Sequence, residues 1–283
     1  MLKDLLYLVS FYSTDRDRLI LKLYYPTIYF KFIDDFKLCC INNYIISIKI
    51  LSLTNDYLDW DEGLKDACFG GHRDIVDFMI QNGAKQWNSG LEQACRGGAC
   101  CAGGQCPHRD IVDLMISFGA NAWNLGLEQA CWGGHIDLVN FMIEKGANNW
   151  NGGLRYACRG GACCAGGQCP HRDIVDLMIS FGANAWNWGL RYACENNDPH
   201  HRYIVDLLIE NGANDWNSGL SGACEGNNRY LVDFMIQKGA NDWNRGLYHA
   251  CFGNHRNVVK LMINKGATYC RYCNRDADDH LLS

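Results

Sequence analysis

The sequence predicts an all-α protein, an α-solenoid of about 7–8 stacked helix-turn-helix repeats. First, tryptophan recurs at spacings of 27, 30 or 36 residues, at Trp60, Trp87, Trp123, Trp150, Trp186, Trp216 and Trp243. Second, nearly the same motif follows each of them, W-N-x-G-L-x-x-A-C-x-G-x-H-x-x-[IL]-V-x-[FL]-M-I-x-x-G-A-N. Third, 48% apolar and 20% charged residues make a globular composition. Units of this size cannot bury their apolar faces alone, so they must stack.

Each repeat is predicted to form two short helices, as the unit "WNLGLEQACWGGHIDLVNFMIEKGANN" at 123–149 illustrates. The first helix is expected over 126–132, with Leu127, Ala130 and Cys131 packed, and the two glycines 133–134 break it. The second is expected over 137–145. Its apolar residues recur with helical spacing and form one stripe, at Leu138, Val139, Met142 and Ile143. Gly146 supplies the left-handed residue that ends this helix.

This unit resembles the ankyrin repeat. The matching positions are Leu127, Ala130, Gly134-His135, Val139, Met142-Ile143 and Gly146-Ala147. The resemblance covers about 38–269, although the unit is about six residues shorter than the 33 of that family, at the place of its projecting hairpin. The short W-N-x-G-L form is similar to the ankyrin repeats of giant DNA viruses. The resemblance implies a concave binding face built from successive first helices.

The two ends of the array deviate from the motif. Residues 39–52 are interpreted as a degenerate repeat, in which Asn43, Ile45, Ile48 and Leu51 echo the motif. The segment 270–283 begins with Cys270 in the tryptophan position and then becomes polar, as terminal caps do. The predicted domains are therefore an N-terminal segment 1–37, repeats over 38–269 and a polar tail 270–283.

The first 37 residues carry no repeat signal. Leu2, Leu5, Leu6, Val9 and Tyr12 form a helical stripe, and a second apolar stretch ends before Pro26. The order L-x-D-L-L-x-x-V, a break, and then "DRDRLILKL" resembles an F-box. That resemblance implies docking on the adaptor of a host cullin ubiquitin ligase. The alternative interpretation is a plain helical cap.

A cysteine-rich stretch, "GGACCAGGQCPHRD", occurs at 97–110 and again at 160–173. It lies within a block, 94–124, that is identical to 157–187, so the second stretch was copied with its repeat. The candidate metal ligands are Cys101, Cys106, His108, Cys164, Cys169 and His171. Structural zinc sites use four ligands, and each stretch offers three in suitable spacing. We favour an inert or partner-facing loop without metal, and keep metal binding and redox pairing as alternatives.

Bulk properties exclude several function classes. The net charge of −5 argues against a general nucleic-acid binder. We expect no signal peptide or membrane span, and hence a cytoplasmic location, in the host cell if the protein is viral. The 17 cysteines then indicate thiols or ligands rather than disulfides. No phosphate-loop, dinucleotide or HExxH motif occurs, so we predict no enzymatic activity and no cofactor.

Candidate partner-binding residues are those that vary between repeats on the first helix, after the leucine and after the cysteine. They are Glu92, Gln93, Arg96, Glu128, Gln129, Trp132, Arg155, Tyr156, Arg159, Arg191, Tyr192, Glu195, Tyr248, His249 and Phe252. Arginine, tyrosine and tryptophan dominate protein interface hot spots. We therefore predict a protein-interaction scaffold. The alternatives are an F-box-type substrate receptor and, less favoured, a metal- or redox-responsive binder that uses the cysteine loops.

Overall fold

A computed structural model describes residues 36–54, 58–97, 108–160, 170–196, 202–270, 272 and 275–276. Segment 1–35, the cysteine stretches 98–107 and 161–169, and most of the tail lie outside these residues. The predictions for an F-box-like segment and for metal binding at Cys101, Cys106, Cys164 and Cys169 therefore stay predictions.

Sixteen helices, arranged as eight successive pairs, make up nearly all of the described part of the chain. They are α1 (Phe36–Ile41), α2 (Ile45–Thr54), α3 (Trp60–Gly70), α4 (Arg73–Gln81), α5 (Trp87–Arg96), α6 (Arg109–Ser117), α7 (Trp123–Gly133), α8 (Ile136–Glu144), α9 (Trp150–Arg159), α10 (Pro170–Ser180), α11 (Trp186–Glu195), α12 (Arg202–Glu210), α13 (Trp216–Glu225), α14 (Arg229–Lys238), α15 (Trp243–Phe252) and α16 (Arg256–Asn264). This confirms the predicted all-α fold of helix-turn-helix repeats.

The chain divides into two compact units, Met1–Gly126 and Leu127–Ser283. The boundary falls within α7. In each unit the two helices of a repeat pack on each other, and the first helix of one repeat packs on the first helix of a neighbour, as α3 does on α5 and α9 on α11. The first helices therefore form the layer that carries the variable positions.

The first helices begin three residues earlier than predicted, at the tryptophan itself. In several of them the residue before the tryptophan caps the helix, whereas α5 and α11 begin there without a side-chain cap. In α9, the Asn149 side chain accepts a hydrogen bond from the Gly152 N–H at 3.1 Å. Asp59, Asp215 and Asp242 cap α3, α13 and α15 in the same way. Such a cap satisfies a backbone N–H that has no partner within the helix.

Helices α4, α6, α8 and α16 begin directly after the histidine of the motif, and in α4, α6 and α8 the aspartate two residues later lies in the first turn. His72 occupies the cap position of α4 without a side-chain bond, and Asp74 follows it. The aspartate therefore adds favourable charge to the helix start and does not cap it. At the other end of α8, Gly146 has φ 105°, the left-handed conformation that the motif predicts.

The core lies between the two helices of each repeat. Leu154, Ala157 and Cys158 of α9 are fully buried, as are the corresponding residues of the other first helices from α3 to α13. Gly153 allows this packing, because a Cβ there would lie 2.5 Å from the Met178 sulfur of α10 and 3.3 Å from Cys131 of the preceding repeat. The glycine of W-N-x-G-L thus sits where two repeats and two helices meet.

The polar residue that follows the tryptophan of the motif connects neighbouring repeats. The Asn151 carboxamide oxygen accepts hydrogen bonds from the backbone N–H groups of Asn184 (2.8 Å) and Ala185 (3.0 Å) in the next repeat. Equivalent bonds join Asp61, Asn88, Asn187, Asn217 and Asn244 to the following turn. These bonds satisfy backbone donors in the turn where the ankyrin family has its longer hairpin.

The repeat array ends in a short two-stranded ladder, β1 (Tyr269–Cys270) and β2 (Arg275–Asp276), which pair antiparallel. Cys270 is buried, and β1 packs on α15. The ladder covers the last first helix at the position where a further tryptophan would stand. Among the described residues, the helices are too short or too polar to cross a membrane.

Candidate partner-binding surface

The packing of the first helix determines which of its residues can reach a partner. Leu154 and Ala157 are buried against α10, so the two positions after the leucine and the one after the cysteine lie on another side of α9. We call these positions of all repeats the first-helix face. In unit Met1–Gly126, the predicted residues Glu92, Gln93 and Arg96 lie on this face of α5, partly exposed.

On α7 the structure gives two of the predicted residues a structural role. Glu128 and Gln129 are each only 8% exposed. The Glu128 carboxylate accepts a hydrogen bond of 2.6 Å from the side chain of Asn149, which in turn caps α9. Glu128 therefore supports the next helix, while Trp132 remains partly exposed.

The centre of the face in unit Leu127–Ser283 is an arginine–tyrosine patch, formed by Arg155, Tyr156, Arg159, Trp188 and Tyr192. The Arg155 guanidinium lies 4.7 Å from the centre of the Tyr156 ring. That of Arg159 lies 5.5 Å from the centre of the Tyr192 ring, on the next first helix. A guanidinium over an aromatic face is held by cation–π attraction while its N–H edge stays available to a ligand.

Arg159 also forms an ion pair of 3.3 Å with Glu195 of α11. Burial raises the pKa of the Glu195 carboxyl above its usual range, and the positive charge of Arg159 opposes that shift. The ion pair places the Glu195 carboxyl next to the patch. Of the predicted residues, the structure brings together Arg155, Tyr156, Arg159, Tyr192 and Glu195.

Trp188 belongs to this patch and was missed by the sequence reasoning. Its side chain is 58% exposed and stacks near Tyr192, with ring centres 6.4 Å apart. It occupies the variable position of W-N-x-G-L, four residues before Tyr192, and therefore lies on the same side of α11. The variation at this position, from glycine to leucine to tryptophan, is the signal that could have revealed it.

A buried cluster of Arg191, Glu225 and His249 lies beside the patch and spans three repeats. Arg191 forms an ion pair of 3.1 Å with Glu225, and the guanidinium lies 3.4 Å from His249 Nε2. His249 Nδ1 lies 3.0 Å from the Glu225 carboxylate. Because arginine can only donate, His249 accepts through Nε2 and the ring is neutral.

Burial is the largest cause that lowers the pKa of His249, to about 4, and the positive charges of Arg191 and Arg245 add to it. The reach of Arg191 across α13 depends on the small residues Ser221 and Gly222, which are both buried. Arg191 and His249 were predicted to contact a partner. In the structure their polar groups contact one another, so they hold three repeats together.

The last part of the face is aromatic. Tyr248 and Phe252 of α15 both make edge-on contacts with Tyr272, at ring-centre distances of 6.0 and 5.4 Å. Phe252 and Tyr272 are each more than half exposed. Such exposed rings are apolar surface that a partner could cover.

The histidines next to the cysteine stretches are engaged within the repeat array. His108 and His171 are 2% exposed, and their Nε2 atoms lie 3.1 Å from the Phe69 carbonyl oxygen and 3.0 Å from that of Trp132. His72 and His255, which have no cysteine stretch, make the same kind of bond to the preceding repeat. These bonds tie the turn between the two helices of a repeat to the preceding repeat. Among the described residues, no group of three or more potential ligands is arranged to hold a metal ion.

Comparison with solved structures finds similarity to the crystal structure of the human ASB11 ankyrin repeat domain. The two share 18% sequence identity over 72% of this chain and 97% of that chain, with a TM-score of 0.42. No protein-family model and no curated protein matches the chain. The fold assignment therefore rests on the helix pairs and on the hydrogen bonds between repeats.

Proposed function

We propose that this protein is a non-enzymatic scaffold that binds another protein through its first-helix face. The observation that carries the proposal is the separation of roles on each first helix. The glycine, leucine and alanine that pack between helices recur in every first helix from α3 to α15, whereas the exposed and partly exposed positions differ and in α9 and α11 are mostly arginine, tyrosine and tryptophan. These residue types supply most of the energy in protein interfaces.

The test is capture of partners by the full chain from a eukaryotic lysate, followed by mass spectrometry. The resemblance to repeats of giant DNA viruses makes host proteins the expected partners. Captured proteins should be lost with the Tyr156→Ala/Tyr192→Ala variant. They should be retained by Arg229→Ala, which removes an exposed ion pair with Asp233 on the second helix α14. Capture that is equal for all three proteins would contradict the proposal.

A second candidate function rests on the order of residues in 1–37, which resembles an F-box. In this role the N-terminal segment recruits a host cullin ubiquitin ligase and the repeats select the target. The full chain should then capture ligase subunits, and Leu5→Ala/Leu6→Ala should abolish that capture without changing what the first-helix face binds. Ligase subunits that are captured equally by the variant, or not captured at all, would eliminate this candidate.

The least favoured candidate is a binder that responds to metal or oxidation through the copied cysteine stretches. The purified chain would then contain about one zinc ion per stretch. Cys101→Ser/Cys106→Ser would remove one of the two ions. Zinc content that this variant leaves unchanged would exclude the role.

A further inference from the structure

Among the described residues, the two arginines on α9 in the arginine–tyrosine patch have one carboxylate between them as a counter-ion. Arg155 and Arg159 are four residues apart on α9, and like charges at that spacing destabilise a helix. Arg159 has Glu195 as its counter-ion. Among the described residues, no carboxylate lies within ion-pair distance of Arg155, which instead contacts the Tyr156 ring. This part of the surface therefore presents one cation that a ligand's anion can pair with.

The tyrosine rings restrict the orientation of the guanidinium groups, including that of Arg155. Arg155 and Arg159 each lie over a ring, so their guanidinium groups lose less side-chain freedom on binding than a lysine or an unsupported arginine would. A guanidinium held by its face offers parallel N–H groups at its edge, and these match the two oxygens of a carboxylate. The geometry is therefore suited to an anionic group and not only to a general apolar contact.

The rest of the patch adds an apolar anchor. Trp188 is 58% exposed and lies next to Tyr192. An exposed tryptophan next to positive charge favours a ligand that combines an acidic group with an apolar side chain. The whole chain has a net charge of −5, so an acidic ligand is attracted only locally, at the patch. The attraction must therefore come from short-range contacts, which salt screens only in part.

We propose that the arginine–tyrosine patch binds an acidic segment of a partner protein, with a carboxylate on Arg155 and an apolar side chain against Trp188. This inference rests on the proposed scaffold function and names the chemistry of its partner. It distinguishes α9 from the equivalent helix α5, where Glu92 and Gln93 stand in place of Arg155 and Tyr156. The chain thus contains its own example of a first helix that should not bind.

The first experiment selects ligands from a library of random 12-residue peptides with the full chain as bait. Selected peptides should be enriched in aspartate and glutamate. The enrichment should disappear with Arg155→Glu/Tyr156→Gln, which gives α9 the residues of α5. Arg229→Glu is the control of matched charge, because Arg229 lies on a second helix and pairs there with Asp233.

The second experiment measures the affinity of one acidic selected peptide by fluorescence anisotropy. Loss of a charge-assisted contact should weaken binding by about 10–100-fold in Arg155→Glu/Tyr156→Gln. Arg155→Lys should show an intermediate loss, because lysine keeps the charge but not the paired N–H groups. Raising the salt from about 50 to about 200 mM should weaken binding of the native chain more than that of the variant.

Different failures have different meanings. If the selected peptides are basic or purely apolar and the variant still loses them, the scaffold function stands and the acidic partner is wrong. If acidic peptides bind equally well to the variant, they bind elsewhere and the inference is overturned. If no acidic peptide binds at about 1 mM, a concentration that would reveal even a weak contact, the inference is also overturned. The scaffold function is then decided by the capture experiment alone.

Discussion

Helices α5 and α9, one in each compact unit, end within the first residues of the two copies of the duplicated block and read "WNSGLEQACR" and "WNGGLRYACR". We call the buried residues and interhelical contacts that hold each helix in its repeat its frame, and the two frames have the same geometry. Trp87 stacks on Phe118 and Trp150 on Phe181, with ring centres 4.7 Å apart in both cases. A Cβ added at Gly90 or at Gly153 would lie 2.5 Å from a methionine sulfur in both helices.

The faces of these two helices differ in charge and in aromatic content. Glu92 and Gln93 of α5 correspond to Arg155 and Tyr156 of α9. These positions lie just outside the copied block, and neither takes part in the core or in the bonds between repeats. The comparison teaches that one helix can keep its packing and change its ligand chemistry, because the two depend on different sides of it.

The largest expected effect tests whether the frames are equivalent. Leu91→Ala and Leu154→Ala each remove a fully buried side chain. Each should lower the free energy of unfolding of its unit by about 2–5 kcal/mol, through lost burial and a cavity. Urea unfolding followed by circular dichroism measures this, with hydrogen exchange to assign the loss to one unit. A cost in one helix less than half of that in the other would show that the frames differ.

Low pH should affect the stability of the two units differently, because the buried cluster with His249 belongs to unit Leu127–Ser283. The pKa of His249 is lowered from 6.5 to about 4, so below pH 6.5 the unfolded chain binds a proton that the folded chain does not. Its contribution to stability is therefore complete above pH 6.5 and falls as the pH drops toward 4.

The loss should be on the order of 2 kcal/mol between pH 6.5 and about pH 5. His249→Gln cannot take up this proton, so its unfolding free energy should depend less on pH over that range. Urea unfolding of both proteins at several pH values provides the measurement. Parallel pH profiles would show that His249 is not responsible.

A smaller effect is expected at the asparagine that connects repeats. Asn88→Ala and Asn151→Ala each leave two backbone N–H groups of the next turn to water. Each should cost about 1–2 kcal/mol of unfolding free energy. Asn140→Ala, on the exposed side of α8, is the matched control and should cost nothing measurable. Equal costs in unfolding free energy for all three variants would show that this asparagine stabilises the protein no more than an exposed surface residue does.

The smallest effect on stability belongs to the exchange of the faces themselves. Arg155→Glu/Tyr156→Gln in α9 and Glu92→Arg/Gln93→Tyr in α5 should each change the unfolding free energy by less than about 0.5 kcal/mol. Thermal unfolding of the full chain measures it. A large loss from either exchange would mean that the face also supports the fold, and binding data on that variant would have to be interpreted accordingly.

The helix pairs could be predicted from the sequence because apolar spacing, glycine and tryptophan act within one repeat. The role of Asn151 could not, since its partners are backbone groups 33 and 34 residues later. Nor could the contact of Arg191 with His249, 58 residues apart, which forms only because two residues of the intervening helix are small. Position 128, which varies between repeats, is therefore structural, whereas position 188, which also varies but was not among the predicted residues, is part of the surface.

Each first helix from α3 to α15 carries a cysteine directly after the alanine of the motif. Six of these thiols are buried, from Cys68 to Cys224. Burial raises the pKa of Cys68, Cys131, Cys158, Cys194 and Cys224, to about 12 for Cys224. A thiol without access to solvent and without thiolate character reacts only when its surroundings open. The alkylation rate of each cysteine, followed peptide by peptide, would therefore measure how often its own repeat opens. Six successive repeats, those of α3 to α13, thus each carry a buried thiol whose reaction rate reports the opening of that repeat.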